Sequence, residues 1–190
     1  MAYINNNIVL MGMPGCGKST LAENLALRLG WQWLDSDQEI EKQEGIGISE
    51  IFAQYGEGFF RRLETKCIRC LLQREDPAVI SLGGGAVRNF VLSQDGGSTV
   101  QNSLIPVSLW QNCIMVYIFR SVEDILHSVD LSDRPLLKDH PEHIAELFAE
   151  RHPLYEQVSH VRVHNDGTVD EGVDKIWEGL VSYRRKASKN

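Results

Sequence analysis

The chain has 190 residues, of which 43% are apolar and 24% charged, with a formal net charge of −7. That length suits one domain with a full core. The acidic balance argues against a general nucleic-acid surface, which needs an excess of Lys and Arg. Apolar runs fall far short of the roughly 20 residues that a membrane span needs. MAYINNN lacks the charged-then-apolar opening of a secretion signal, so a cytoplasmic protein with no membrane partner is expected. The basic tail RRKASKN reads as a frayed, solvated terminus. Cys67 and Cys70 form a CxxC with no second pair at zinc spacing, and are expected as two small buried residues on a helix.

In chain order, NIVLM (7–11) predicts a strand and KSTLAENLALRL (18–29) a helix, with Leu21, Leu25 and Leu29 on one face and Gly30 as its stop. WQWLD (31–35) predicts a second strand. Ser36-x-x-Glu39 then has the form of a capping box that starts a helix. SEIFAQY predicts a short helix ended by Gly56, followed by a longer one from Gly58 to Arg74. AVISL (78–82) predicts a third strand, running into Gly83-Gly84-Gly85. The segment 93–112 opens with turn chemistry, and its Leu, Ile, Val and Trp predict partial docking on the domain. CIMVYIF (113–119) and HVRVHN (160–165) are the fourth and fifth strands, with helical patterns between and after them, the last from about Asp170 to Tyr183. Helical connections enforce parallel pairing with right-handed crossovers. The expectation is a three-layer α/β domain spanning 1–190, with a five-stranded parallel sheet flanked by helices.

Gly12-x4-Gly17-Lys18-Ser19 matches the phosphate-loop pattern G-x-x-x-x-G-K-[ST] between a strand and a helix. Glycines let the backbone N–H groups of Gly12, Gly15, Cys16 and Gly17 converge on phosphate oxygens, and the helix N-terminus adds partial positive charge. Lys18 is expected to reach the β- and γ-phosphates, Ser19 to coordinate Mg²⁺, and Thr20 to complete the ATP site. In the empty loop Lys18 is expected to face solvent.

Acceptor features should lie at the C-terminal ends of the strands. Asp35 is expected to finish the second strand and Asp37 to sit in the first helical turn. One carboxylate could act on the metal's waters, the other take a hydroxyl proton. Alternatively, Asp37 only favours a helix N-terminus. Arg61 and Glu64 lie one turn apart and could pair, usefully or as a solvated ion pair. Gly83, Gly84 and Gly85 offer bare N–H groups to a ligand, or make a simple tight turn. Arg134 and Arg151 each stand in a proline-marked stretch, and singly either could be an ordinary surface arginine.

Together, GMPGCGKS, DSD, FRRLE, SLGGGAV, RPLL and RHPLY in this order resemble the shikimate kinases over nearly the whole chain. The resemblance implies a nucleoside-monophosphate-kinase-like P-loop fold. It also implies transfer of the ATP γ-phosphoryl group to the 3-hydroxyl of shikimate, with Mg²⁺ as cofactor. It places acceptor binding at about 36–64 and a lid at about 126–141. It implies Lys18, Asp37 and Arg134 as catalytic, Arg134 also touching ATP. Asp37, Phe52, Phe60, Arg61, Gly83, Gly84, Gly85 and Arg151 would bind substrate, and Asp35 would hold the metal through water. A monomer is expected. The chain departs from the family at His127, where an arginine often stands near the adenine. It departs also in the long 93–112 segment, and in HNDGTVDEG, which lacks an expected proline.

Rival readings are a kinase for gluconate, an aminated shikimate or a nucleoside monophosphate, and a nucleotide-binding module without catalysis. Gluconate has no rigid ring to explain two phenylalanines, and a nucleotide acceptor would want more basic residues. The aminated analogue shares the carboxylate and most of the ring. The intact set of Lys18, Ser19, Asp35, Asp37 and Arg134 argues against an inactive module.

Overall fold

The computed structural model describes residues 6–90, 105–128 and 141–188. Five parallel strands stand in the order β2-β3-β1-β4-β5: β1 Ile8–Met11, β2 Gln32–Asp35, β3 Ala78–Ser81, β4 Ile114–Phe119 and β5 Val161–His164. Every residue of β1 and β3 is buried, as strands covered on both faces must be, which explains the apolar runs 8–11 and 78–80; Ser81 ends β3 as a buried hydroxyl. β5 alternates buried and exposed residues at the sheet edge.

The first helix, α1 (Lys18–Leu29), begins where the phosphate loop ends and stops at left-handed Gly30. α2 (Ser36–Glu44) leads into α3 (Ile48–Leu72), which is kinked where Gly56 adopts φ 76°. The predicted short and long helices are thus both present, meeting at the predicted glycine, whose backbone (φ 76°, ψ 171°) is not helical. A 3₁₀ turn (Ala86–Asn89) follows β3. α4 (Val107–Trp110), α5 (Val122–Ser128), α6 (Pro141–Val158) and α7 (Val169–Ala187) complete the order. α6 docks on β4 through Tyr155, whose ring stacks 4.9 Å from that of Tyr117.

Three expectations change, and the docking of 93–112 holds in its later part. Ser36 does not cap α2; Asp35 does, accepting from the N–H of Asp37 and Gln38. The terminus is not frayed from Arg184, because α7 runs to Ala187 and Arg184 donates to the Asn6 side chain at 2.6 Å. Cys67 is buried but Cys70 is exposed. The 93–112 segment docks through its later part, with Ile105 buried and Trp110 edge-on to Phe90 at 5.9 Å, while 93–104 lies outside the described residues. Among the described residues no helix is long and apolar enough to cross a membrane, and no cluster of His, Cys, Asp and Glu could hold a metal ion.

Candidate active site

β1 lies at the centre of the sheet, and the chain crosses from one side of it to the other between β3 and β4. Such a switch point opens a crevice at the C-terminal strand ends. The phosphate loop, from Gly12 to Lys18, occupies it. Gly15 and Gly17 hold φ of 82° and 93°, where a side chain would be strained. A Cβ on Gly17 would also meet the Asn165 amide at 2.5 Å. That amide donates to the Cys16 carbonyl at 2.8 Å, so the loop after β5 braces the phosphate loop. Asn165 lies within the late stretch HNDG, and no local pattern marks it as a brace.

Lys18 does not face solvent. It is 9% exposed, and its Nζ donates back to the Met13 carbonyl at 2.9 Å. Folding back satisfies an ammonium that would otherwise be buried without a partner. Ser19 and Thr20, exposed in the first turn of α1, lie next to it. The Ser19 hydroxyl donates to Asp35 Oδ2 at 3.0 Å, and Ser81 donates to the same oxygen at 2.7 Å. Asp35 thus joins β2, β3 and the phosphate loop while its Oδ1 caps α2.

Asp37 stands one residue beyond Ser36, whose hydroxyl accepts from the Gly83 N–H at 3.0 Å. This bond holds DSD against LGGG. A Cβ on Gly83 would lie 2.7 Å from Asp37 Oδ1, so only glycine leaves room for that carboxylate. Oδ1 is buried with no hydrogen-bond partner among the described residues. Burial, reinforced by Asp35 and Glu64, pushes the Asp37 carboxyl up to about 6. Asp35 supplies the cap hydrogen bonds, while Asp37 stands as an acidic residue in the first turn of α2.

Arg61 donates to both oxygens of Glu64, at 3.2 and 3.0 Å, and to Glu57 at 3.0 Å. Glu64 has no exposed side-chain surface, so the pair is not a solvated one. Burial works against the Arg61 charge, but Glu64 and Glu57 together more than offset it and raise its pKa. The same guanidinium lies 2.5 Å from where a Cβ on Gly85 would sit, and over the Phe60 ring at 5.3 Å. Phe60 is buried and Phe52 half-exposed, with rings 4.7 Å apart. Arg151 is 8% exposed, and its Nε is buried without a partner among the described residues. Burial lowers its pKa. Two residues further along α6 than Pro153, Tyr155 donates to the Gly84 carbonyl at 2.6 Å, while Gly84 itself packs on Pro14 of the phosphate loop.

The structure therefore brings Asp35, Asp37, Phe52, Phe60, Arg61, Gly83, Gly84, Gly85 and Arg151 to one side of the loop that carries Lys18 and Ser19. Arg134 and most of the expected lid lie outside the described residues. His127, on α5, is exposed with Nδ1 2.7 Å from the Glu123 carbonyl.

A phosphate loop facing a crevice lined by paired arginines and carboxylates at the strand ends has the layout of a small-molecule kinase of the P-loop class. The sequence profile described as "Shikimate kinase" matches residues 14–181. A shikimate kinase of Clostridium botulinum (strain Alaska E43 / Type E3) is 38% identical over 179 residues, covering 94% of this chain and 99% of the relative. Shikimate kinase from Acinetobacter baumannii, solved in complex with shikimate, superposes with a TM-score of 0.77 at 34% identity, covering 93% of both chains. A gluconokinase from Sinorhizobium meliloti shares the fold alone, with a TM-score of 0.59 at 17% identity. This chain belongs to the shikimate kinase family.

Proposed function

We infer that the chain transfers the γ-phosphoryl group of ATP to the 3-hydroxyl of shikimate, the step that commits shikimate toward chorismate and the aromatic amino acids. The observation that carries this reading is the pair of unsatisfied buried groups, Asp37 Oδ1 and Arg151 Nε, beside the Arg61 guanidinium. A ligand with a carboxylate and a hydroxyl would satisfy them together. Guanidinium forks of Arg61 and Arg151 suit the planar carboxylate, Phe52 and Phe60 wall the ring, and Asp37 accepts the hydroxyl proton as the oxygen attacks phosphorus. Gly83, Gly84 and Gly85 let the ring approach the backbone.

ATP is the co-substrate. Gly12, Gly15, Cys16 and Gly17 would cradle its phosphates with Lys18, Ser19 and Thr20. For this, Lys18 must leave Met13 and swing onto the β- and γ-phosphates, where it withdraws charge from the moving group. Arg134 is assigned the same task from the RPLL motif. The Ser19 hydroxyl and Asp35 carboxylate are hard oxygen donors 3.0 Å apart and fit Mg²⁺, Ser19 directly and Asp35 through water. Bound there, the ion would neutralise phosphate charge and orient the triphosphate. We read 1–190 as a single cytoplasmic domain, acting as a monomer, with an acceptor region at about 36–64 and a lid at about 126–141.

A panel of acceptors with Mg·ATP, followed by ADP release, tests this function. Turnover should require shikimate, and gluconate and nucleoside monophosphates should be essentially inert. Equal activity on gluconate would overturn it. An aminated shikimate belongs in the panel, because the carboxylate clamp does not separate the two.

A further inference from the structure

Behind the Arg61–Glu64 pair lies a side chain that sequence reading passed over. Asn89, at the end of the 3₁₀ turn, is 5% exposed. Its Nδ2 donates to Glu64 Oε2 at 3.2 Å, the oxygen that also takes Arg61 at 3.0 Å. Its Oδ1 lies 3.1 Å from the Thr65 hydroxyl, which also reaches the Arg61 carbonyl at 2.8 Å. Its own backbone carbonyl accepts from the Ile105 N–H at 2.9 Å. The residue is held from both sides.

An amide is the group this position needs. It must donate toward a carboxylate and accept from a hydroxyl at once, which neither a carboxylate nor an apolar side chain does. The terminal torsion of a glutamate is broad, so nothing intrinsic to Glu64 sets the plane of its carboxylate. Arg61 is also drawn the other way, toward Glu57, whose side chain is 59% exposed. If Glu64 turns, the guanidinium loses its two-oxygen partner and is free to follow Glu57 away from Gly85.

We propose that Asn89 is a positioning residue for the acceptor carboxylate: by donating to Glu64 it sets the plane in which Arg61 presents its guanidinium. The proposal deepens the functional reading and rests on Arg61 as part of the carboxylate clamp. Charged groups around Glu64 are Arg61 from α3, Arg151 from α6 and Asp37 from α2. None of them replaces a donor on the Asn89 side.

The test is initial-rate kinetics on wild type, Asn89→Ala and Asn89→Asp, with shikimate and Mg·ATP each varied, from pH 6 to 8.5, beside thermal melts. For Asn89→Ala the KM for shikimate should rise about tenfold, the size of one hydrogen bond to a charged group, with the KM for ATP within about twofold. Asn89→Asp keeps the shape but sets a second carboxylate against Glu64, so one of the two must hold a proton. Its shikimate KM, divided by that of wild type at the same pH, should fall toward unity as the pH drops and the new carboxyl donates as the amide did. The Asn89→Ala ratio should show no such recovery. Equal movement of both KM values, an unchanged shikimate KM, or a pH-independent Asn89→Asp ratio would overturn the proposal while leaving the kinase reading intact. If Asn89→Ala melts below the assay temperature, the isosteric Asn89→Asp comparison decides alone. A wild type inert toward shikimate would overturn the functional reading, and this proposal with it.

Discussion

Asp37, the proposed base, sits in an environment that costs the fold something. Its carboxyl is raised to about 6 by burial and by its acidic neighbours, so it is mostly ionised at pH 7 yet basic enough to take a proton. In the proposed role Asp37 acts only when ionised, so kcat/KM for shikimate should fall as the pH drops below about 6, which a pH–rate profile checks. Asp37→Asn should lose roughly 10²–10⁴-fold in turnover, as expected for removing a general base, while ATP still binds. The stability effect has the opposite sign. A carboxyl raised in the folded state contributes stability that is fully present below its unfolded pKa, near 3.8, and lost as the pH rises through about 6. Asp37→Asn should therefore melt above wild type at pH 8, and the gap should close toward pH 4. Lys18→Ala removes the charge proposed to act most strongly on the transition state, so kcat should fall about 10²-fold or more. Its melting temperature should shift as well, because Lys18 is buried and bonded to Met13.

At the level of elements, the chain's periodicity located all five strands, because β1 is apolar throughout, β3 is apolar up to its buried Ser81, and β5 alternates. Helix ends were less legible. Ser36 and Asp35 are both good caps, and the difference lies in what else each reaches: Ser36 turns to Gly83 and Asp35 to Ser19 and Ser81. Asp35→Ala should cost about 1–2 kcal/mol through the lost cap and raise the Mg²⁺ needed for half-maximal rate, measured by melts and a magnesium titration. The glycine run is tight for a reason no local rule supplies. Gly85 has an ordinary φ of −89°, so a methyl group there strains no backbone; it meets the Arg61 guanidinium. Gly85→Ala should thus fold normally, with a melting temperature near wild type, while the KM for shikimate rises by about tenfold or more, one charge-assisted hydrogen bond being worth that. A KM increase shared equally with ATP would place the effect elsewhere.

For the molecule as a whole, the crevice joins segments as far apart as Asp37 and Arg151, so filling it should stabilise the entire fold. Shikimate at 100 times its Kd should add about 2.7 kcal/mol by mass action, a rise of roughly 5–11 °C at this size. Gluconate should add nothing measurable in the same melts. The family motifs were legible because phosphate and carboxylate recognition needs particular residue types at short, regular spacings: Gly12-x4-Gly17-Lys18-Ser19, Asp35-Ser36-Asp37 and Arg61 three residues before Glu64. Local spacing and hydrophobic period sufficed for the fold class, the loop and the pairing of Arg61 with Glu64. Long-range packing was needed for the inward fold of Lys18, the exposure of Cys70, the brace from Asn165 and the amide of Asn89 behind Glu64. Each of these depends on which distant groups exclude water from a given atom. A buried polar atom must find its partner wherever the fold has brought one, and sequence neighbours do not name it.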